Sequence, residues 1–379
     1  MKFLTPFSEN QRVGILGGGQ LGRMLLPEFN KLNIEVHILD PDKNCPCSRL
    51  TPHFEVGDLN NFDQVLAFGQ KVDIVTVEIE NVNVDALRAL KEQGIKVFPD
   101  PEILRTVKDK GIQKQFFKDH GIPTADFTLH QGKYSNQSLP FVQKMCTGGY
   151  DGKGVQVIKT QEGLAEFWKE ASVIEELIPF EKEIAVIVAR NERAEIKTYP
   201  PVEMEFHPTA NLVEFLFWPT SMSAKLEAEA ENLAEKVAKA FNLVGILAVE
   251  MFLTKEGKLL VNEVAPRPHN SGHHTIEASV TSQYLQHVRT LLDLPLGDTS
   301  IVIPSVMINI LGEEGATGEV AYKNLDEVLK QSGTYVHLYG KRTTKPFRKL
   351  GHVTVCNKDL EKAKETARFV MKTLKATSI

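Results

Sequence analysis

Between Arg12 and about Pro99, apolar runs and amphipathic runs take turns: VGIL, a glycine turn, QLGRMLLPEFNKL, IEVHILD, then DIVTVEIE and VDALRALKEQ. Strands alternating with helices in this way form βαβ units around a parallel sheet, which makes residues 1–100 a Rossmann-like domain. At 379 residues the chain is too long for one ordinary core and implies two or three domains. Beyond Pro99 and Pro101 the pattern changes. Helix signals run from Lys110 to His120, Pro123 marks a turn, and strand-loop-strand patterns follow: FVQKM, a glycine loop, VQVIK, then EIAVIVAR facing AEIKTYPP. Ser223 to Phe241 reads as an amphipathic helix. After LDLPLGD, short strands (VMINIL, YVHLYG, HVTVCN) and a helix from Leu360 to Leu374 make a small α+β module. The expected fold is α/β and α+β: the parallel-sheet domain, a central domain over 101–298 with a lid at about 123–180, and a small domain over 299–379.

Composition narrows the function. Hydrophobic content of 42% and charged content of 25% belong to a soluble globular protein, and a net charge of -5 argues against nucleic acid as the partner. Cys45, Cys47, Cys146 and Cys356 are too scattered for a zinc site or a disulfide framework, which fits a reducing cytoplasm. The opening MKFLTPFSENQR lacks a signal peptide's apolar core. No apolar run approaches the roughly 18 residues that span a membrane.

The stretch LAVEMFLTKEGKLLVNEVAPRPHNSGHH, from Leu247 to His274, carries the sharpest chemistry. If Glu256-Gly257 is a two-residue loop, Lys255 pairs with Lys258, and counting outward brings Glu250 level with Glu263. Side chains opposite each other sit roughly 4.5–5.5 Å apart, so two carboxylates there repel unless a cation lies between them. Magnesium, a hard cation that carries substrate phosphates, would answer that repulsion. A longer loop shifts the register and turns one glutamate to water. The hairpin alone leaves both readings open.

Two glycine-rich segments bear on phosphate. Gly17, Gly19 and Gly22 fit G-x-G-x-x-G, with Asp40 closing the next strand, as in NAD-binding domains. The physical content is broader: such a turn lets backbone N–H groups and a helix end approach any phosphate, or merely allows a tight corner. Nothing downstream reads as a hydride-transfer site. In Gly148-Gly149-Tyr150-Asp151-Gly152-Lys153-Gly154, four glycines in seven residues let the backbone fold over a polyphosphate while Lys153 offers charge. Strands flank it and no Ser or Thr follows the lysine, so it is a hairpin lid and not a Walker loop. Lys144 on FVQKM reads equally as a ligand or a solvated edge lysine. Glu175-Glu176-Leu177-Ile178 closes a strand and can present backbone groups to adenine, and Glu183 can hold a ribose; charged strand ends are also often simply wet.

Taken in order, ILGGGQLGRML, VTVEIENV, GGYDGKGV, VNEVAPRPHNSGHH and FRKLGHVTV resemble the 5-(carboxyamino)imidazole ribonucleotide synthases of the ATP-grasp superfamily, from about Val13 to about Val355. The resemblance implies a Rossmann-like pre-ATP-grasp domain, a central ATP-grasp domain, a C-terminal domain and a cytoplasmic homodimer. It implies a purine-pathway ligase that joins bicarbonate to aminoimidazole ribonucleotide, with ATP and magnesium or manganese as cofactors. By that resemblance ATP would contact Lys110, Lys144, the lid residues Gly149, Tyr150, Asp151, Gly152, Lys153, Gly154 and Val155, the segment Glu175, Glu176, Leu177 and Ile178, and Glu183, His207, Asn262 and Glu263. Glu250 and Glu263 would hold the metal. Gly18, Gly19, Gln20, Glu78, Tyr150, Asn270, Lys341 and Arg348 would hold the ribonucleotide, and Arg267, His269, Asp151 and Lys153 would act in catalysis. Lys110 stands where arginine is common, EFHPTANLVEFLF around His207 diverges from the family's wording, and Ala265 lacks the metal-binding amide of the wider superfamily.

The chemistry expected is attack by bicarbonate on the γ-phosphate, giving carboxyphosphate, with the lid excluding water. Arg267 suits a bidentate oxyanion, and His269 either binds the same anion or moves a proton. His273 and His274 read as a polar turn held by hydrogen bonds. Lys341 and Arg348, in GKRTTKPFRK, read as a ribose-phosphate site or a solvated basic loop. Two other functions fit parts of the chain: a formate-dependent glycinamide ribonucleotide transformylase, and an NAD-dependent oxidoreductase built on Gly17 to Gly22.

Overall fold

The structure, a computed structural model, describes residues 11–132, 138–149, 154–206 and 213–379. Strands β1 (Arg12–Leu16), β2 (Glu35–Asp40), β3 (Phe54–Val56), β4 (Ile74–Val77) and β5 (Lys96–Phe98) form a parallel sheet in the order β3-β2-β1-β4-β5. That order reverses at β1, the doubly wound arrangement of a Rossmann-like domain. Helices α1 (Gln20–Lys31), α2 (Phe62–Gly69) and α3 (Val84–Glu92) connect the strands. Val13 and Ile15 pack with α1, while Leu16 turns to the core shared with α2 and α3. The run DIVTVEIE is shorter as a strand than its alternation suggests: β4 ends at Val77, and Glu78 to Glu80 leave the sheet.

Helices α4 (Pro101–Lys108) and α5 (Lys110–Asp119) lead to an antiparallel sheet of β6 (Phe127–His130), β7 (Phe141–Met145), β8 (Val155–Ile158) and β9 (Ser172–Glu176), ordered β6-β9-β7-β8. The glycine loop joins β7 to β8, which pair from Phe141↔Ile158 to Lys144↔Val155, as the hairpin-lid reading expects. Tyr150, Asp151, Gly152 and Lys153 lie outside the described residues, as does His207.

A nine-stranded sheet forms the centre, with β10 (Phe180–Arg190), β11 (Ile196–Thr198), β12 (Val202–Phe206), β13 (Val213–Trp218), β14 (Gly245–Thr254), β15 (Leu259–Ala265) and β16 (Ser305–Leu311). Helix α6 (Ala224–Ala240) buries Ala230, Ala234, Val237 and Ala238 against β10 and β14, the stripe its 3.6-residue period dictates. Pairing of β13 with β16 carries this sheet into the C-terminal segment, where strands Lys349–Cys356 and Thr334–Leu338 complete it under helix Leu360–Thr373. The C-terminal strands therefore extend the central sheet.

Candidate active site

Glu250 on β14 pairs directly with Glu263 on β15, as the sequence reading requires, but by a different route. The turn is one residue longer than expected. Leu253 pairs with Leu259, Thr254 N–H donates to the Lys258 carbonyl at 2.9 Å, and Gly257 adopts φ +76°. A three-residue loop ending in a left-handed glycine is a common hairpin closure. It offsets the ladder by one, and a β-bulge between Glu250 and Met251 restores it, because Met251 pairs with Val261 and Asn262 is the extra residue. Val261 and Val264 both enter the helix-covered core, so Asn262 and Glu263 between them both face the other side.

That face gathers charge. Glu183 and Glu250 project from it, since their neighbours Ile184, Val249 and Met251 point into the opposite core. Burial, then the nearby Glu263 and Glu183, push the Glu250 carboxyl well above its usual range. Glu263 moves the other way, because Lys110 forms an ion pair with it. Burial raises Glu183 to about 7 against the pull of Lys144. Carboxylates crowded level with one another, one of them resisting ionisation, form the donor set a hard divalent cation fits. Among the described residues Glu35, His37 and His53 also bring metal-type ligand atoms within 4.8 Å of one another. Their imidazoles stack 4.4 Å apart at 16°, and both Nε2 atoms approach the Glu35 carboxylate, at 2.7 Å from His37 and 3.8 Å from His53.

Lys144 is no edge lysine. It is 8% exposed, and its Nζ sits 2.9 Å from Glu175 Oε2 and 2.7 Å from Asn262 Oδ1. The Glu175 side chain is thus an internal counter-ion and not a group held out for adenine. The Glu176 N–H donates to the Asp126 carbonyl at 2.9 Å. At the lid's ends, Gly154 adopts φ +73°, and a Cβ there would meet the Gly149 backbone at 3.1 Å.

The loop after β15 reaches two ways. His269 Nε2 faces Glu250 Oε1 at 3.5 Å, and the Ser271 N–H donates to His269 Nδ1 at 3.3 Å, which leaves Nε2 as the protonated nitrogen of the neutral ring. Arg267 Nε is 2.8 Å from Glu80 Oε1, beyond the end of β4. Asn270 donates to Asn309 Oδ1 at 3.2 Å, while its own buried Oδ1 has no partner among the described residues. His273 meets the Tyr284 hydroxyl at 2.9 Å in a buried seam, as a structural histidine would. His274 is buried too, and its carbonyl accepts from the Ala278 N–H at 3.0 Å, so both histidines belong to a hydrogen-bonded turn.

A second polar cluster forms at the glycine turn, and its geometry, like the sequence, speaks against NAD. The Leu21 N–H at the start of α1 donates to Glu78 Oε1 at 3.0 Å, and the Gly18 N–H donates to Asp40 Oδ2 at 2.7 Å. A Cβ on Gly19 would come within 2.5 Å of Glu78 Oε1, and one on Gly17 within 2.9 Å of Oε2. These glycines admit a carboxylate of the chain itself where a pyrophosphate would sit, and Asp40 is tied to the turn and not held out for a ribose. Burial pushes Glu78 up to about 7, opposed by the Leu21 N–H, Arg267 and Lys341. Lys341 Nζ donates to Gln20 Oε1 at 2.8 Å, so the C-terminal segment closes this cluster. Arg348 is turned to Thr343 at 2.8 Å, on its own loop.

Sequence reasoning passed over Glu80, two residues beyond Glu78, and Lys114, one helical turn beyond Lys110. The i, i+4 spacing on α5 places Lys114 on the face of Lys110, while Glu80 follows Glu78 just beyond the end of β4.

Residues 10–108 match the ribonucleotide synthetase preATP-grasp domain, 115–284 the ATP-grasp domain, and 305–366 the phosphoribosylaminoimidazole carboxylase C-terminal domain. An N5-carboxyaminoimidazole ribonucleotide synthase from Bacillus subtilis is 36% identical over 90% of this chain and 90% of its own. The chain belongs to the N5-carboxyaminoimidazole ribonucleotide synthase family. A family structure from Aspergillus clavatus, in complex with ADP and 5-aminoimidazole ribonucleotide, superposes with TM-score 0.87 at 30% identity, covering 96% of this chain and 99% of that one. A chloroplastic phosphoribosylaminoimidazole carboxylase from Vigna aconitifolia is 39% identical over 92% of this chain, which spans only 64% of that relative's length. As a family member the chain is an ATP-grasp ligase with the three-part fold that the motifs imply.

Proposed function

We propose that this protein carboxylates the amine of 5-aminoimidazole ribonucleotide, using ATP and bicarbonate, to give 5-(carboxyamino)imidazole ribonucleotide, ADP and phosphate in de novo purine biosynthesis. The observation that carries this reading is the level pair Glu250 and Glu263, joined through the Arg267–His269 loop to the pocket of Gln20, Glu78 and Lys341. One loop thus touches both a phosphate-transfer centre and a second substrate's pocket.

A bicarbonate oxygen attacks the γ-phosphorus, its bond to the β-bridging oxygen breaks, and ADP leaves as carboxyphosphate forms. Magnesium or manganese on Glu250 and Glu263 supplies positive charge to the phosphates when bound. Lys110 and Lys144 add charge from two sides, and Gly149 to Val155 close over the nucleotide, whose adenine and ribose meet Glu176 to Ile178, Glu183 and His207. Arg267 binds the bicarbonate oxygens, and His269 donates from Nε2 to the same anion. The amine, oriented by Asp151, attacks the carboxyl carbon, and phosphate departs. Gly18, Gly19, Gln20, Tyr150, Lys153, Asn270, Lys341 and Arg348 hold the ribonucleotide. The division at 1–100, 101–298 and 299–379, a homodimer and a cytoplasmic setting belong to this proposal. Among the described residues no helix is long and apolar enough to cross a membrane.

Release of ADP, measured with each substrate omitted in turn, tests it. Release is expected to need both bicarbonate and aminoimidazole ribonucleotide. Turnover that needs formate and glycinamide ribonucleotide instead would overturn it.

A further inference from the structure

Lys114 is 3% exposed, at a position on α5 one turn beyond Lys110. Its Nζ donates to Thr124 Oγ1 at 2.5 Å and lies 3.2 Å from Glu175 Oε1. Thr124 in turn donates to the Val261 carbonyl at 2.6 Å, next to the bulge residue Asn262. Glu175 Oε1 has no aligned hydrogen-bond donor among the described residues, so the Lys114 ammonium is what compensates it. The other oxygen, Oε2, takes Lys144. Burial would raise the Glu175 carboxyl, but Lys144 and Lys114 together hold it below its usual range. Two lysines share the work of stabilising this buried carboxylate, and losing one leaves all of it to the other.

We propose that Lys114 is a positioning residue for nucleotide binding: it satisfies the inner oxygen of Glu175, so that the outer oxygen holds Lys144 against Asn262 above the carboxylate pair. This rests on the reading of Lys144 as an ATP ligand. Without Lys114, Glu175 has only Lys144 to neutralise it, and it draws that ammonium inward, away from the bulge. Burial lowers the Lys114 ammonium to about 8, with Glu175 opposing, so the charge persists at neutral pH.

Lys114→Met is expected to raise KM for ATP about tenfold and leave KM for aminoimidazole ribonucleotide unchanged. Partial unfolding would instead lower apparent kcat and leave both KM values alone, so this split separates positioning from mere stability. In the double variant Lys114→Met/Glu175→Gln, the carboxylate that draws Lys144 inward is gone and the amide oxygen still accepts from Lys144, so KM for ATP is expected to return to within about threefold of wild type. An unchanged KM for ATP in Lys114→Met, or a double variant as impaired as the single, would overturn the proposal. Lys144→Met, assayed alongside, separates the two levels: if it too leaves KM for ATP unchanged, the reading of Lys144 itself fails.

Discussion

Glu183 stands 79 residues before Asn262 and 80 before Glu263, yet with its neighbour Glu250 all four share one face of the central sheet. Its carboxyl is pushed up to about 7 from 4.5, by burial first, with Lys144 opposing and Glu263 adding. A carboxyl that binds its proton more tightly folded than unfolded weakens the fold as pH rises between those two values. Without nucleotide, Glu183→Gln is therefore expected to gain thermal stability over wild type at about pH 8, and the gap should close by about pH 5. A difference between the two proteins that does not vary with pH would show that Glu183 is not held this way. The same residue scale explains Glu78. Its environment at the start of α1 was invisible in the sequence, because G-x-G-x-x-G records only that something approaches the backbone, not whether it is a ligand or a side chain of the chain.

At the level of elements, the hairpin of β14 and β15 decides the site. The sequence reading placed Glu250 opposite Glu263 correctly through a turn that was misjudged by one residue, and the bulge at Asn262 cancelled the offset. Alternation with period two was legible; the bulge was not, because an extra residue leaves no mark beyond Val261 and Val264 standing three apart where both are core. The bulge adds one side chain to the face that carries Glu250 and Glu263. Asn262→Ala removes an acceptor from Lys144 while Glu175 still holds it, so KM for ATP is expected to rise about tenfold with the fold intact by circular dichroism. Wild-type ATP affinity in that variant would mean that the bulge serves only the strand. The parallel sheet, the lid hairpin and α6 were all readable from periodicity. Lys114 was not, since a lysine at helical spacing from another lysine looks like a solvated face, and only the tertiary position of Glu175 shows that it is buried.

Across the whole molecule, the C-terminal strands continue the central sheet and meet the loop after β15 in a buried histidine seam. His273 lies 4.6 Å from His352, whose ring stacks 4.4 Å from His337, and His337 bonds Glu277 at 2.6 Å. Burial, with the charge of neighbouring histidines, holds His273 and His352 well below 6.5. Histidines that stay neutral when folded give full stability above that value and lose it as pH falls, because the unfolded chain takes up protons there that the folded one refuses. The thermal midpoint is expected to drop between about pH 6.5 and 4.5, and His352→Gln should make that decline shallower. An unchanged acid limb in the variant would place the sensitivity elsewhere. The seam keeps Lys341, which reaches Gln20, joined to the loop that carries Arg267 and His269. The Glu250–Glu263 face and the Gln20–Lys341 contact therefore draw on all three parts of the chain.

In the proposed reaction the Glu250–Glu263 face passes phosphate from ATP to bicarbonate before carbon meets the amine. Turnover of bicarbonate labelled with heavy oxygen, in the presence of ATP and aminoimidazole ribonucleotide, reads this directly by mass spectrometry of the products. One labelled oxygen is expected in each inorganic phosphate, carried over when the carboxyl carbon leaves it. Unlabelled phosphate from a carboxylated product would contradict the account.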